Sequence, residues 1–221
     1  MTRLARIVVP GLPHYVTQRG NQDKDAFFNA GDYRIYRELL AEGCEKAKTQ
    51  VLAYCLMPNQ IQMILVPSTP DGLRGALGET HRRYTRHINQ REAWDGHLWQ
   101  ERFHSFAFQQ ARLDLGLRFV EQAPLRAKLV RKLHRWQWSS ANAHLAGKDD
   151  ELVRVARNLK RFPDWEAFMG ESLSAEEVDR FERHERSGRP LGAPAFIKKL
   201  EERLGRKLTA RPPGRPRKNP D

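Results

Sequence analysis

Val51-Leu-Ala-Tyr-Cys-Leu-Met-Pro-Asn-Gln-Ile-Gln-Met-Ile-Leu-Val66 holds the decisive pattern of the chain. Two apolar runs, Val51 to Leu56 and Ile61 to Val66, flank Met57-Pro-Asn59, a connection short enough for an antiparallel hairpin. Upstream, Tyr33, Tyr36, Leu39, Leu40 and Cys44 recur at helical spacing between Asp32 and Thr49, with Gly31-Asp32 as the expected start. Before that helix, His14 to Gln18 alternates as a strand and stops at the turn signal Arg19-Gly-Asn21. Downstream, Asp71 to about Arg91 reads as a basic helix and His104 to Gln109 as a short strand. Leu113 to Gln122 reads as a helix that Pro124 closes. The order strand, helix, strand, strand, helix, strand, helix predicts an α+β sandwich of the split βαβ type.

The 221 residues carry 39 Lys and Arg against 27 Asp and Glu, a net charge of +12 and a pI near 10.1, which points to a polyanionic partner. With 39% apolar residues the chain can bury a core, so wholesale disorder is excluded. No apolar run reaches the roughly 18 to 20 residues of a membrane span, and Met1-Thr-Arg-Leu4 leads into no signal-peptide core. No membrane association and a cytoplasmic location are therefore expected. Two cysteines, Cys44 and Cys55, build neither a disulfide framework nor a four-thiolate zinc site.

The charge is unevenly placed. Ser187 to Asp221 holds ten Lys and Arg against three acidic residues, net +7 of the total. Within it, Phe196, Ile197, Leu200 and Leu204 form the stripe of a short helix from Ala195 to Leu208. Arg211-Pro-Pro-Gly-Arg-Pro-Arg-Lys-Asn-Pro220 follows, too rich in proline for a helix and too charged for a core. The expected organisation is a main domain over 1–147, a helical linker or bracing region over 148–186, a short basic helical segment over 187–209 and a disordered basic tail over 210–221.

Ala53-Tyr-Cys-Leu-Met-Pro-Asn-Gln-Ile-Gln-Met-Ile-Leu65 resembles the core motif of the REP-associated tyrosine transposases, relatives of the insertion-sequence-200-like single-tyrosine transposases. The resemblance continues in Tyr15-Val-Thr-Gln-Arg-Gly-Asn21, Gly96-His-Leu-Trp-Gln-Glu-Arg-Phe-His-Ser105, Pro124-Leu-Arg-Ala-Lys-Leu-Val130 and Trp136-Gln-Trp-Ser-Ser140. In the tail, Gly188-Arg-Pro-Leu-Gly192 and Gly214-Arg-Pro-Arg-Lys218 look like the longer members. The resemblance implies a ferredoxin-like antiparallel sheet with helices on one face, extended by a mostly helical C-terminal part. It also implies cutting and rejoining of single-stranded DNA at hairpins through two histidines, a divalent metal such as Mg or Mn, and a tyrosine nucleophile.

The residues at those positions depart from the pattern. Gln60 and Gln62 stand where the family has its two metal-binding histidines, and strand alternation puts them on one face. A neutral amide is a weaker ligand than imidazole for such ions. The family's Tyr-Ile-His-Leu-Asn-Pro aligns with Phe119-Val-Glu-Gln-Ala-Pro124, so Phe119 replaces the nucleophile and Ala123 a polar residue one turn later. Phenylalanine has no oxygen for covalent catalysis. No catalytic residue, bound metal or cofactor is therefore expected. Tyr84 is either a packing aromatic or a substitute nucleophile, and His81 and His87, six apart, make no helical metal pair and are expected to be solvated or phosphate-facing.

DNA is the expected partner, as a hairpin or a single strand. Arg74, Arg82, Arg83, Arg86 and Arg91 read equally as a solvated helix face or as phosphate contacts. Gln122 to Lys148 lacks acidic residues while Arg126, Lys128, Arg131, Lys132, Arg135 and Lys148 gather beside Trp136 and Trp138, a mixture that suits phosphates and stacked bases. Trp99 and Arg102 are further candidates, Trp99 also reading as core and Phe103 favouring the core. Arg215, Arg217 and Lys218 in the tail match a minor-groove hook or a nonspecific phosphate-binding arm. The expected function is DNA binding without strand cleavage, against two alternatives: an active transposase, and an RNA-binding or structural module. The resemblance also allows a homodimer.

Overall fold

A computed structural model describes residues 6–209. Strands β1 (His14–Arg19), β2 (Thr49–Met57), β3 (Gln60–Pro67) and β4 (His104–Ala107) form one sheet in the order β2-β3-β1-β4, with every neighbouring pair antiparallel. Helix α1 (Ala30–Lys46) links β1 to β2, and α2 (Gly72–Glu92) links β3 to β4. Asn29 starts α1 with a capping box: its side chain accepts from the N–H groups of Gly31 and Asp32, while the Asp32 carboxylate accepts from the N–H of Asn29. Pro58 and Asn59 turn the β2–β3 hairpin between paired Met57 and Gln60.

Alternation sorts the strands into two faces. Val16, Tyr54, Leu56, Ile61, Met63 and Leu65 join a core with α1 and α2. Those helices approach so closely that a Cβ on Gly43 would lie 2.4 Å from the carbonyl oxygen of Ala76. Tyr15, Ala53, Cys55, Met57, Ile64 and Phe106 face the other way, into a second core. There α3 (Leu113–Glu121) lies on the sheet, and a Cβ on its Gly116 would come within 2.9 Å of Ile64 Cδ1. Helices thus cover both faces, not one as the sequence reading had it.

Beyond α3, the second layer is completed largely by residues 148–186, which read as a linker or bracing region. After α3, Pro124 opens the short α4 (Ala123–Arg126) rather than only closing α3, because a proline costs no hydrogen bond in a first helical turn. Then follow α5 (Ala141–Ala146), α6 (Ala156–Arg161), α7 (Trp165–Gly170) and α8 (Ala175–Ser187). Phe181 of α8 and Trp165, Phe168 and Met169 of α7 are buried in the second core. Helix α9 (Pro194–Leu204) packs Leu200, with Phe196, Ile197 and Leu204, against Ile7, Val9 and Ala107. Backbone bridges from Ser139 to Cys55 and from Leu191 to Phe108 cover parts of both sheet edges. No described helix is long and apolar enough to cross a membrane.

A buried carboxylate ties this extension to the sheet. Glu121, fully buried at the end of α3, accepts from Ser140 Oγ at 2.5 Å, His144 Nδ1 at 2.7 Å and Trp165 Nε1 at 2.9 Å. Asn158 Nδ2 donates to both His144 Nε2 and the Leu52 carbonyl of β2, which fixes Nδ1 as the His144 donor toward Glu121. Replacing Glu121 by Ala strands the buried donors of His144 and Trp165, while Ser140 Oγ can turn to the Tyr54 carbonyl at 3.3 Å, and Glu121→Ala should lower unfolding free energy by about 3 kcal/mol, read from urea denaturation. A second expectation concerns His14, whose Nε2 accepts from the Val9 N–H while Nδ1 donates to the Leu12 carbonyl. Burial lowers its pKa from 6.5 to about 4. The unfolded chain therefore takes up this proton first, so the contribution of His14 to stability should fall as pH drops from about 6.5 toward 4 and level off below. Urea midpoints for His14→Gln should show a shallower slope over that window.

Candidate functional site

The four residues expected at the catalytic positions come together in the second layer. Strand register sets Gln62 between Cys55 and Thr17, and Gln60 between Met57 and Arg19, so both amides project toward α3. Gln62 is 7% exposed, and the Oε1 atoms of both glutamines are buried without a hydrogen-bond partner. Phe119 and Ala123 lie in the same core. The Phe119 ring stacks on Phe181 with centroids 4.7 Å apart and meets Tyr15 edge-on at 5.4 Å. Arg126 holds its guanidinium 4.3 Å from that ring and donates to the Phe119 carbonyl.

Helix α8 covers this face. Its Glu185 accepts from the Tyr15 hydroxyl at 3.3 Å and pairs with Arg19 at 3.2 Å. Burial, with Glu185 beside it, pushes the Tyr15 phenol well above its ordinary pKa. Tyr84 belongs to the opposite core: its hydroxyl donates to the Ala26 carbonyl at 2.7 Å, on the far side of the sheet from Phe119. His81, expected in solvent or on phosphate, instead bonds Tyr36 through Nε2 at 3.0 Å, and burial lowers its pKa to about 3.

The expected DNA-contact residues separate into three groups. Arg82 pairs with Glu79 and Arg83 with Glu42, each at 2.6 Å, so both charges are largely neutralised. Arg126 is partly buried, and desolvation lowers its pKa. Arg86, Arg102, Lys128, Arg131, Lys132 and Arg135 are exposed and form no ion pair with any described residue. The tryptophans expected to stack bases point inward. Trp138 stacks on Tyr33 at 4.6 Å, and Trp136 Nε1 donates to the Leu56 carbonyl at 3.0 Å. Trp99 is 8% exposed and packs among Phe27, Tyr36, His81 and Tyr84. Arg215, Arg217 and Lys218 lie outside the described residues.

Most of the unpaired cations share one end of the sheet. Arg19, Met57, Gln60 and His104 mark that end, through the pairs Arg19 with Gln60, Met57 with Gln60 and Thr17 with His104. The Lys128 to Arg135 loop reaches it through the Leu56 bonds to Trp136 and Trp138. The loop carrying Arg102 reaches it through Gln100 N to the Arg19 carbonyl at 3.0 Å and Asn21 N to the Leu98 carbonyl at 2.8 Å.

The family model described as "Transposase IS200 like" matches residues 14–123, from the first strand through α4's start. Those residues form an IS200-like transposase domain. Among solved structures, a REP-associated tyrosine transposase bound to a REP hairpin is similar at 16% identity and TM-score 0.58, covering 71% of this chain and 94% of that one. A candidate transposase from Deinococcus radiodurans R1 is 15% identical with TM-score 0.37, covering 61% of this chain and 98% of its own. No curated protein matches the sequence. The fold of this IS200-like domain is that of the hairpin-bound relative.

The divalent metal implied by the family does not fit the residues present. Gln60 and Gln62 offer two neutral oxygens, and the nearby guanidinium of Arg126 acts on Cys55 and Tyr15, cross-strand neighbours of Gln62 and Ile64. Among the described residues no cluster of three His, Cys, Asp or Glu side chains is placed to hold a metal. Sequence reasoning missed Tyr15, Phe181 and Glu185 as neighbours of Phe119, because nothing local marks contacts between residues so far apart in the chain. It also missed the exposed pair Phe28 and Trp94. The three groups of cations should separate in thermal denaturation: Arg126→Ala should cost about 1 to 2 kcal/mol, whereas Arg131→Ala and Arg135→Ala should stay within about 0.5 kcal/mol of the parent.

Proposed function

We propose that this IS200-like protein binds DNA, as a hairpin or a single strand, and does not cut it. Phe119 carries the reading. Tyrosine-mediated cleavage needs a hydroxyl that attacks the phosphate, and the position the family resemblance assigns to it holds a ring closed in by Phe181, Tyr15 and Arg126. The tyrosine hydroxyls of Tyr15 and Tyr84 are each buried and hydrogen-bonded, and burial raises both pKa values. Gln60 and Gln62, in place of imidazoles, remove the cation that would polarise a phosphate.

DNA as partner is supported by the unpaired cations at one end of the sheet and by the hairpin held in the structurally similar relative. Phosphate contacts of this kind supply affinity that falls with salt. Binding would then proceed equally in EDTA and in Mn²⁺. The protein would act by occupying its site, in the cytoplasm, and sedimentation separates a monomer from the homodimer that the family resemblance allows.

Changing Lys128, Arg131, Lys132 and Arg135 together to Ala should flatten the slope of log K against log salt by roughly three units for single-stranded DNA. An unchanged slope would make this loop a solvated surface only. With a labelled DNA hairpin and any divalent metal, the parent protein should give no denaturation-resistant adduct. Gln60→His with Gln62→His, or Phe119→Tyr alone, should also remain inert, since residues acting as one catalytic unit are far from additive. A covalent product from the unmodified protein, mapped to any side chain, would overturn the reading.

A further inference from the structure

Two large aromatic side chains, neighbours across the start of α1 and the end of α2, stand in solvent. Phe28 is 43% exposed and Trp94 48% exposed, and their rings meet edge to face with centroids 5.5 Å apart. They are held in place from below. Ala93 ends α2 with φ +52, the Trp94 N–H donates to the Asn89 carbonyl at 2.9 Å, and the Asn89 side chain fastens the Gly96 carbonyl at 3.0 Å. Phe28 precedes the α1 cap, its own N–H donating to Asp32 at 2.8 Å. A rigid, solvent-facing aromatic pair contributes little to a core, and in a nucleic-acid-binding protein such a face suits an unpaired base.

The surroundings indicate where the strand would run. Phe28 and Trp94 border a recess with Lys24, Asp25 and Asp95, and the Arg91 guanidinium 5.7 Å from the Phe28 ring is paired with Asp32 and Glu92, so the platform itself is not strongly basic. That recess shares Gly96, His97 and Leu98 with a groove of about 700 Å³ along α2, whose walls include Arg74, Arg82, Trp99 and Arg102. Arg74 and Arg102 are exposed and make no ion pair with a described residue. The mixed charge at one end and the arginines at the other fit an uncharged base on the aromatics and phosphates in the groove.

We propose that Phe28 and Trp94 stack an unpaired nucleobase of bound DNA, whose adjoining phosphates follow the α2 groove past Arg102 and Arg74. The inference rests on the DNA-binding reading and adds to the Lys128 to Arg135 loop a second surface, for the unpaired base.

The test compares a DNA hairpin bearing a single-stranded flank with the same hairpin made blunt, by fluorescence polarisation. Phe28→Ala with Trp94→Ala should weaken binding of the flanked hairpin by about 5- to 150-fold and leave the blunt one unchanged. Trp94→Phe, which keeps a π-face, should retain most of the affinity. In protein labelled with fluorotryptophan, the resonance lost in Trp94→Phe should shift when the flanked hairpin is added to the parent chain. If the parent binds neither hairpin, the DNA-binding reading fails. If it binds both, and the double alanine variant binds the flanked hairpin as tightly while the Trp94 resonance stays put, the platform alone is wrong. Tighter binding of the same flank made of RNA, or a dimer of the parent that the double variant abolishes, would likewise overturn this assignment.

Discussion

The carboxylate of Glu121 is the constraint on which the second layer depends. A buried charge is tolerated only when donors surround it, and here the three donors come from two separate helices: Ser140 at the start of α5 and His144 within it, and Trp165 at the start of α7. Asn158 of α6 extends the same network to the backbone of β2. An apolar contact would leave these short helices free to slide. The carboxylate makes their positions discrete, because each donor must arrive within hydrogen-bond distance, and it sits on α3, two residues from Phe119.

From that anchor the chain has little choice about where α8 goes. Leaving α7, it crosses α3 and lays Phe181 on Phe119, Tyr15 and Phe106. The ring at position 119 and the cover at position 181 are complementary: a phenyl group can be stacked on both sides without an unmet hydrogen bond, whereas a phenol there would need a partner in an apolar site. The Gln60 and Gln62 side-chain oxygens beneath are left without hydrogen-bond partners, an unmet cost in this otherwise apolar packing.

How much of this was legible in the sequence follows from the range of each interaction. The hairpin at Met57-Pro-Asn59, the stripe of α1 and the basic α2 are written in periodicity and turn residues, and the described elements start and stop within a few residues of those limits. Gln60 and Gln62 on one face follow from alternation alone. Helices on the second face were not legible, since α3 and α8 meet through residues about sixty apart in sequence. Trp136 and Trp138 misled for a different reason. An aromatic beside cations reads the same whether it faces solvent or core, and only the Leu56 carbonyl and the Tyr33 ring reveal that both are structural. Trp94 lay hidden in the reverse way, a lone aromatic just past the arginines of α2 whose exposure nothing local marks.

The same ambiguity governs charge. A net +12 describes the whole chain, yet its effect on a polyanion depends on which cations keep their charge unneutralised. On α2 the arginines that look most alike differ in this respect: Arg82 and Arg83 pair with Glu79 and Glu42, while Arg86 forms no ion pair with a described residue. Exposed pairs of that kind contribute little to stability, but they subtract from the local potential. What remains is concentrated where strands β1 to β4 present Arg19, Met57, Gln60 and His104, between the loop of Lys128 to Arg135 and the loop of Arg102. Rigid elements on both sides hold those loops at a fixed separation, so the field they make has a shape as well as a sign. On the DNA-binding proposal, that shape, rather than the total charge, would distinguish a folded hairpin or strand from any other polyanion.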